Sequence, residues 1–460
     1  MSSGRALAWH EATRQASSGL IAGTSRAFVS PLHALLAAPS LVFLATLTIM
    51  LFRPPNIGLL PLDRLAFFLL VLVVLLRTLL LKTGLPFSRS FTLPMLGLSV
   101  LALAANWRQA YDAEAWSVVA AQFLVPFAMF HLARAVFNTE SSVRQLELFC
   151  MLALAYLCFI SIAFLSGQTQ LIFPRFILDG GVEMHFDRAR GPFLQAVANG
   201  VSINLLGLVA FDCYLRNRIR ALVAVPLLLS APIAIFATMT RSVWLSFILS
   251  LVVIILFRER QRIWWLLSFA VITTAVLTYV VTANSTLLAA SQERFEDRET
   301  VDFRLSVYEL SWDMFRDRPL LGWGQGEFAR EIETRISDFR PGTYAAHNTF
   351  IDILVEHGTV GLLLFLWIGC RFFRLRKQSG WLQFAWPICL AVYFVNACCV
   401  VMNYQFVNAL LFTFAGVMAG GERSHVEQPP TYESSARGCS HENRLPDELL
   451  PLPFGSVRQG

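Results

Sequence analysis

Apolar blocks of roughly twenty residues, each closed by a short polar break, recur along almost the whole chain: 32–52, 61–81, 91–106, 116–135, 147–167, 193–211, 220–238, 242–257, 263–282, 347–370, 382–401 and 403–420. A chain in hydrocarbon must satisfy every backbone N–H and C=O internally, which leaves helices or a closed barrel. The blocks lack the alternation of barrel strands. Charged residues make up 15% of the sequence, against about a quarter in soluble domains. The expected fold is all-α, a polytopic transmembrane helical bundle of twelve spans. It divides into an N-terminal segment 1–31, nine spans over 32–282, a large outer loop 283–346, three spans over 347–420, and a polar, proline-containing tail 421–460, expected to be disordered.

The net charge of +6 would point a soluble protein toward nucleic acid. Here the basic residues fall mainly in loops, where they report topology, so no nucleic acid partner is expected. With the N-terminus inside, alternate short segments hold 17 basic residues, from Arg5, Arg14 and Arg26 to Arg371, Arg374, Arg376 and Lys377. The opposing segments hold seven: Arg53, Arg64, Arg108, Arg175, Arg188, Arg190 and Arg241. Twelve spans with both ends in the cytoplasm satisfy this bias. None of the eight cysteines falls in an outer loop, so no disulfide framework is expected. The first thirty residues lack the apolar core of a removable signal, which leaves the first span as its own insertion signal.

No phosphate-binding G-x-x-x-x-G-K-[ST] loop, H-E-x-x-H, C-x-x-C or D-x-D pair is present, so neither a metal nor a cofactor is expected. The outer loop mixes eight arginines with twelve acids. Within it, "DFRLSVYELSWDMF" places Leu305, Tyr308, Trp312 and Phe315 at helical spacing behind an Asp302 cap, predicting a helix that lays this face over the outer mouth of the bundle. The glycines of "RPLLGWGQGEF" read better as tight turns than as a phosphate cradle. Trp107, Trp116, Trp264, Trp265, Trp381 and Trp386 lie near block ends, the usual place of interfacial anchors.

The chemistry-bearing residues gather on the outer side. His347 and Asn348 stand directly before the span 347–370. A helix starting there points unpaired N–H groups and a positive dipole outward, which favours an anion and keeps a neighbouring imidazole neutral, fit to act as a base. The plainer reading of His347 is an ordinary boundary residue. Arg241, in "IAIFATMTRSVWLSFILS", is a lone charge between two apolar blocks. Burying an arginine at mid-membrane costs about 2.5 to 3.5 kcal/mol, so it lines a polar cavity or reaches headgroups. Arg188 and Arg190 precede a span on the same side, and Arg304 opens the amphipathic helix. Together these arginines form a candidate site for phosphate or pyrophosphate. Glu356, roughly 13 Å deeper than His347 at 1.5 Å per residue, reads as a buried structural acid, and His357 as a packing residue.

Three separated segments resemble the O-antigen ligase and polymerase family of bacterial envelope glycosyltransferases: "RARGPF" with Arg188, Gly191 and Phe193; "TRSVW" with Arg241 and Trp244; and the run from Arg304 through Trp312, Pro319, Gly322, Gly324, Gly326 and Phe328 to "HNTFIDILVEHGTVG". The last holds His347, Asn348, Glu356, Gly358 and Gly361. The family often carries a proline-asparagine pair after the first glycine, where this chain has Asn199 alone. The resemblance implies a GT-C-like enzyme in the bacterial inner membrane, with its site facing the periplasm. It implies a glycan donor on undecaprenyl pyrophosphate, a sugar hydroxyl of lipid A core or of a growing glycan as acceptor, and a chain-length regulator as a possible partner. In that reading His347 is the base, Arg188 or Arg190 with Arg241 and Arg304 hold the pyrophosphate, and Asn348 and Glu356 support them. The rival class is a flippase for lipid-linked oligosaccharides, or another transporter, which predicts ionisable groups inside the bundle.

Overall fold

A computed structural model of the chain describes residues 36–53, 61–82, 84, 87–107, 111–181, 187–257, 299–335, 346–375 and 380–420, all within the unit Met1–Glu422. Eleven of the twelve apolar blocks fall there, and each is helical. They are α1 Pro39–Leu51, α2 Leu62–Leu80, α3 Arg89–Trp107, α4 Ala113–Val119 continuing into α5 Val125–Val136, α6 Glu140–Leu165, α7 Ala196–Leu215, α8 Ala221–Ala237, α9 Arg241–Phe257, α12 Thr349–Arg374, α13 Trp386–Ala397 and α14 Gln405–Gly420. The outer loop adds α10 Glu299–Asp317 and α11 Glu327–Arg335. The block 263–282, the segment 1–31 and the tail 421–460 lie outside the described residues.

Among the described residues, five stretches are long and apolar enough to cross a membrane: α3, α4 to α5, α6, α7 and α12. Shorter apolar helices α1, α8, α9, α13 and α14 pack among them. No strand occurs among the described residues. The chain is an all-α, multi-pass membrane protein.

Local chemistry sets several boundaries. Thr139 and Ser142 form a reciprocal capping box at the start of α6. Asp112 accepts from Glu114 N at 2.9 Å to start α4. Between α4 and α5, residues Ala120–Leu124 form a π turn. Pro126 has no N–H to give the Gln122 carbonyl four residues back, and the wider turn absorbs the mismatch.

The core runs along α5, α12 and α14. Phe91, Phe130, Phe372 and Phe412 touch in sequence, with ring centroids 5.1 to 5.8 Å apart. Gly416 lets α14 close onto the Phe130 carbonyl and the Ala133 methyl of α5, the small-residue contact that membrane helices use in place of a hydrophobic driving force. Trp386 is fully buried, and its indole N–H donates to Phe372 O at 2.8 Å. Trp381 is buried as well, so neither is the interfacial anchor its position suggested. Their connector folds into the bundle, where Leu382 N donates to the Asp212 carboxylate at 3.2 Å.

Helix α10 also departs from expectation. Its packed face is Val307, Ser311 and Met314, which join Phe328, Ile332, Ala346 and Val355 in a small second core. Leu305 and Trp312 are half exposed on the other side. The helix carries two apolar stripes, and the stripe with the smaller side chains is the buried one. Ser311 interrupts its pattern yet is satisfied internally, donating to Val307 O at 2.6 Å.

Candidate active site

Four segments meet where α12 begins. Asn348 caps the helix, its Oδ1 accepting from Phe350 N at 2.9 Å and Ile351 N at 3.3 Å. His347 precedes it with φ 46°, in the left-handed region that a Cβ disfavours. Cap and turn hold a half-buried imidazole at the mouth of the helix. Thr349 then fastens this start to the connector between α13 and α14: its Oγ1 donates to Val400 O at 2.8 Å and accepts from Met402 N at 2.9 Å.

That connector gathers the arginines. Cys399, next to Val400, lies within electrostatic reach of Arg304. Phe193 stacks on Phe406, centroids 5.3 Å apart, bringing the segment that starts at Arg188 beside the first turn of α14. Ala189 N donates to Ala237 O at 3.0 Å, which joins the same segment to the turn between α8 and α9 that leads into Arg241. Deeper down, Asn396 Nδ2 donates to Ser246 Oγ at 3.0 Å. Ser246 lies five residues after Arg241, and Asn396 four before Val400. At about 1.5 Å per residue, α9 and α13 bring Arg241 and Val400 to the same height. His347, Arg188, Arg241 and Arg304 thus share one end of the bundle.

The guanidinium groups differ in how they are held. Arg190 is 1% exposed; its Nε donates to Ile177 O at 3.1 Å and its Nη2 to Asp179 O. It clamps its own loop. Arg188 Nε stands 3.9 Å from the Asp187 carboxylate, a loose contact. Arg241 is exposed at the head of α9. Arg304 makes no ion pair among the described residues, and its Nε is buried without an acceptor. Its loop neighbours are engaged: Arg335 with Asp317 at 2.6 Å, Arg330 with Glu327 at 2.8 Å and Asp112 at 3.2 Å, Arg316 with Asp313 at 3.7 Å. Arg318 lies 3.9 Å over the Trp323 ring.

Glu356 and the glycines belong to one seam. Helix α12 is broken at Gly358, with φ 66° and ψ −170°. The loop after α10 fills the break: Trp323 N donates to Val355 O at 3.0 Å and Gly324 N to Glu356 O at 2.8 Å, while Thr359 N donates to Pro319 O at 2.9 Å and Val360 N to Leu320 O at 3.2 Å. The Glu356 carboxylate accepts from Gly326 N at 2.9 Å. A Cβ at Gly358 would collide with the Leu320 carbonyl, and one at Gly322 would lie 2.5 Å from the Glu356 carbonyl. Gly322 and Gly324 of "GWGQG" and Gly358 of "EHGTVG" are therefore two halves of one backbone contact. His357 is buried against Phe123, 5.3 Å between ring centroids.

Sequence reasoning missed three contributors. Asp352 is buried one turn above Glu356 and faces the Gln122 amide from the π turn; Pro126 within a span was the available signal. Thr349 gave none, because its partners lie fifty residues away. Asn199, noted only as a remnant of a pair, donates to Ala189 O at 2.8 Å and Ser161 Oγ at 3.0 Å and so sets the first loop. Among the described residues, no cluster of His, Cys, Asp and Glu is arranged to hold a metal ion.

Positive side chains, a helix N-terminus and an imidazole at one end of the bundle suit an anionic group whose neighbour must lose a proton. No curated protein compared with the chain matches it. The family model described as O-antigen ligase matches residues 222–366, a stretch that holds Arg241, Arg304, His347, Asn348 and Glu356. The match covers roughly a third of the chain, and over that segment the chain is similar to the O-antigen ligase family.

Proposed function

We propose that the protein is a metal-independent, inverting glycosyltransferase of the bacterial inner membrane, a twelve-span, GT-C-like bundle with its site on the periplasmic face. It moves a glycan from undecaprenyl pyrophosphate to a sugar hydroxyl on lipid A core or on a growing glycan. What supports this reading is that the segments carrying Arg188, Arg241 and Arg304 lie at the same end of the bundle as His347. Outside the cytoplasm there is no ATP or nucleotide sugar, so the energy must be stored in the donor. A pyrophosphate leaving group needs positive charge, which guanidinium forks supply.

In the proposed step His347 Nδ1 or Nε2 takes the proton of the acceptor hydroxyl while its oxygen bonds to the anomeric carbon. The bond from that carbon to the pyrophosphate oxygen breaks, and its electron pair leaves with the pyrophosphate, held by Arg188, Arg241 and Arg304. Attack opposite the leaving group inverts the carbon. Asn348 fixes the start of α12, Glu356 and Arg190 hold the two loops, and a chain-length regulator is a candidate partner.

A second reading, transport of a lipid-linked glycan, draws on one observation: Asp352, Glu356 and His357 are ionisable and buried inside the bundle. Reconstitution with a lipid-pyrophosphate glycan separates the two. Release of undecaprenyl pyrophosphate with a lengthened or re-attached glycan is expected; movement of intact donor across the bilayer without release would overturn the enzyme reading.

A further inference from the structure

The seam at Gly358 sets a piece of non-helical chain against the membrane-facing side of a span. Leu320 is 68% exposed and Leu321 50%, at the tip of the turn after α10. Their neighbour on α12 is Val360, whose N–H donates to Leu320 O. Val360, Leu363 and Trp367 follow at helical spacing as one exposed apolar stripe. A spanning helix with such a stripe has lipid to face, and the tip continues that surface.

Depth follows from the helix beside it. Helix α3 runs antiparallel to α12: Gly97 lies at Leu364 and Leu101 at Gly361. Trp107, exposed at the end of α3, is six residues beyond Leu101, about 9 Å nearer the His347 end at 1.5 Å per residue. Exposed tryptophan marks the headgroup level. Leu320, alongside Val360, is therefore below that level.

Irregular backbone at such a depth must have its polar groups met by protein. Here Pro319 O accepts from Thr359 N and from Thr359 Oγ1 at 2.8 Å, Leu320 O accepts from Val360 N, and Gly322 N donates to Arg318 O at 3.2 Å. The flanking cations rest on rings, Arg316 over Trp312 at 5.8 Å and Arg318 over Trp323, the arrangement of a boundary between water and lipid.

We propose that Pro319–Leu321 is a re-entrant tip embedded in the phospholipid leaflet at the His347 end, with Trp312 at its headgroup level. The tip anchors α10 to the bilayer and so fixes the height of Arg304; this consequence rests on the function proposed above, whereas the embedding does not.

The test uses the full chain in vesicles of phosphatidylethanolamine and phosphatidylglycerol. Cys370, Cys398, Cys399 and Cys439 are replaced by serine, and a nitroxide is placed at Leu320→Cys, Leu363→Cys or Glu309→Cys. Collision with oxygen relative to a water-soluble nickel complex should be several-fold higher at 320 than at 309 and close to that at 363. A ratio at 320 equal to that at 309 would overturn the embedding, whatever the transfer activity. Should the serine chain fail to fold, Leu320→Trp with native cysteines serves: its added emission is expected to be quenched by phospholipids brominated deep in the acyl chain, and unquenched emission would overturn the proposal. Trp312→Phe should lower the fraction of emission quenched by bromines near the headgroup; an unchanged fraction would remove Trp312 from the interface.

Discussion

Arg216 and Arg304 belong to clusters at opposite ends of the bundle, and the fold treats their charges differently. Arg216 Nε donates to Asp212 at 2.7 Å and Nη2 to Glu147 at 2.6 Å. Asp212 in turn accepts from Leu382 N, so one guanidinium ties α6, α7 and the connector before α13. Its charge is matched by structure. Around Arg304 the acids are close in sequence but turned to other arginines, Asp317 and Glu331 to Arg335 and Glu327 to Arg330. Arg304 makes no ion pair among the described residues and its Nε is buried without an acceptor, so a ligand that brings negative charge to this corner would match it.

The sharpest way to break that contrast is at the imidazole. His347→Ala is expected to lower transfer by about 10²- to 10⁴-fold, the usual worth of a positioned base, with membrane insertion intact. The measurement is undecaprenyl pyrophosphate released by the reconstituted protein; release near the wild-type rate would take His347 out of the mechanism. Arg304→Ala comes next, with a loss of about 10²- to 10³-fold, the effect of removing one preorganised donor from a developing anion. Arg304→Lys keeps the charge without the fork. Activity midway between the two is expected, and full activity from the lysine variant would reduce the role to charge neutralisation.

Arg216→Ala tests the other end. Removing one partner of a largely buried pair costs about 3 kcal/mol, because Glu147 and Asp212 would be left without their cation. The expected result is a lower melting temperature for the detergent-solubilised protein and unchanged turnover per folded molecule. Equal losses of turnover from Arg216→Ala and Arg304→Ala would erase the distinction between the two ends.

Much of this was legible in the sequence, for uneven reasons. Block length and the cost of bare backbone in lipid made the helices readable, and all the blocks on described residues are helical. Asn348 as a cap and the glycines as turns followed from local stereochemistry. Contacts set by distant partners were not readable. That Arg190 is spent on its own loop depends on carbonyls at 177 and 179; the buried face of α10 depends on Phe328 and Ile332; and Trp386 is core because its connector folds inward. The break at Gly358 hid inside a block long enough to read as one span, since hydropathy does not report a positive φ.

Gly358→Ala sharpens the comparison with the smallest expected change, since it alters the corner without removing a charge. A Cβ there is placed in the left-handed region and against the Leu320 carbonyl, at a cost of about 1 to 3 kcal/mol for the backbone alone. The loop can relieve the collision only by lifting its Pro319 and Leu320 carbonyls off Thr359 and Val360, and α10 with Arg304 moves with it. A raised KM for the lipid donor should therefore accompany a modest fall in melting temperature. Gly361→Ala, seated against His357 and Leu101 on the same helix but without a positive φ, should destabilise the bundle and leave KM unchanged. If both variants raised KM equally, the seam would be ordinary packing, and the corner would not depend on it for its shape.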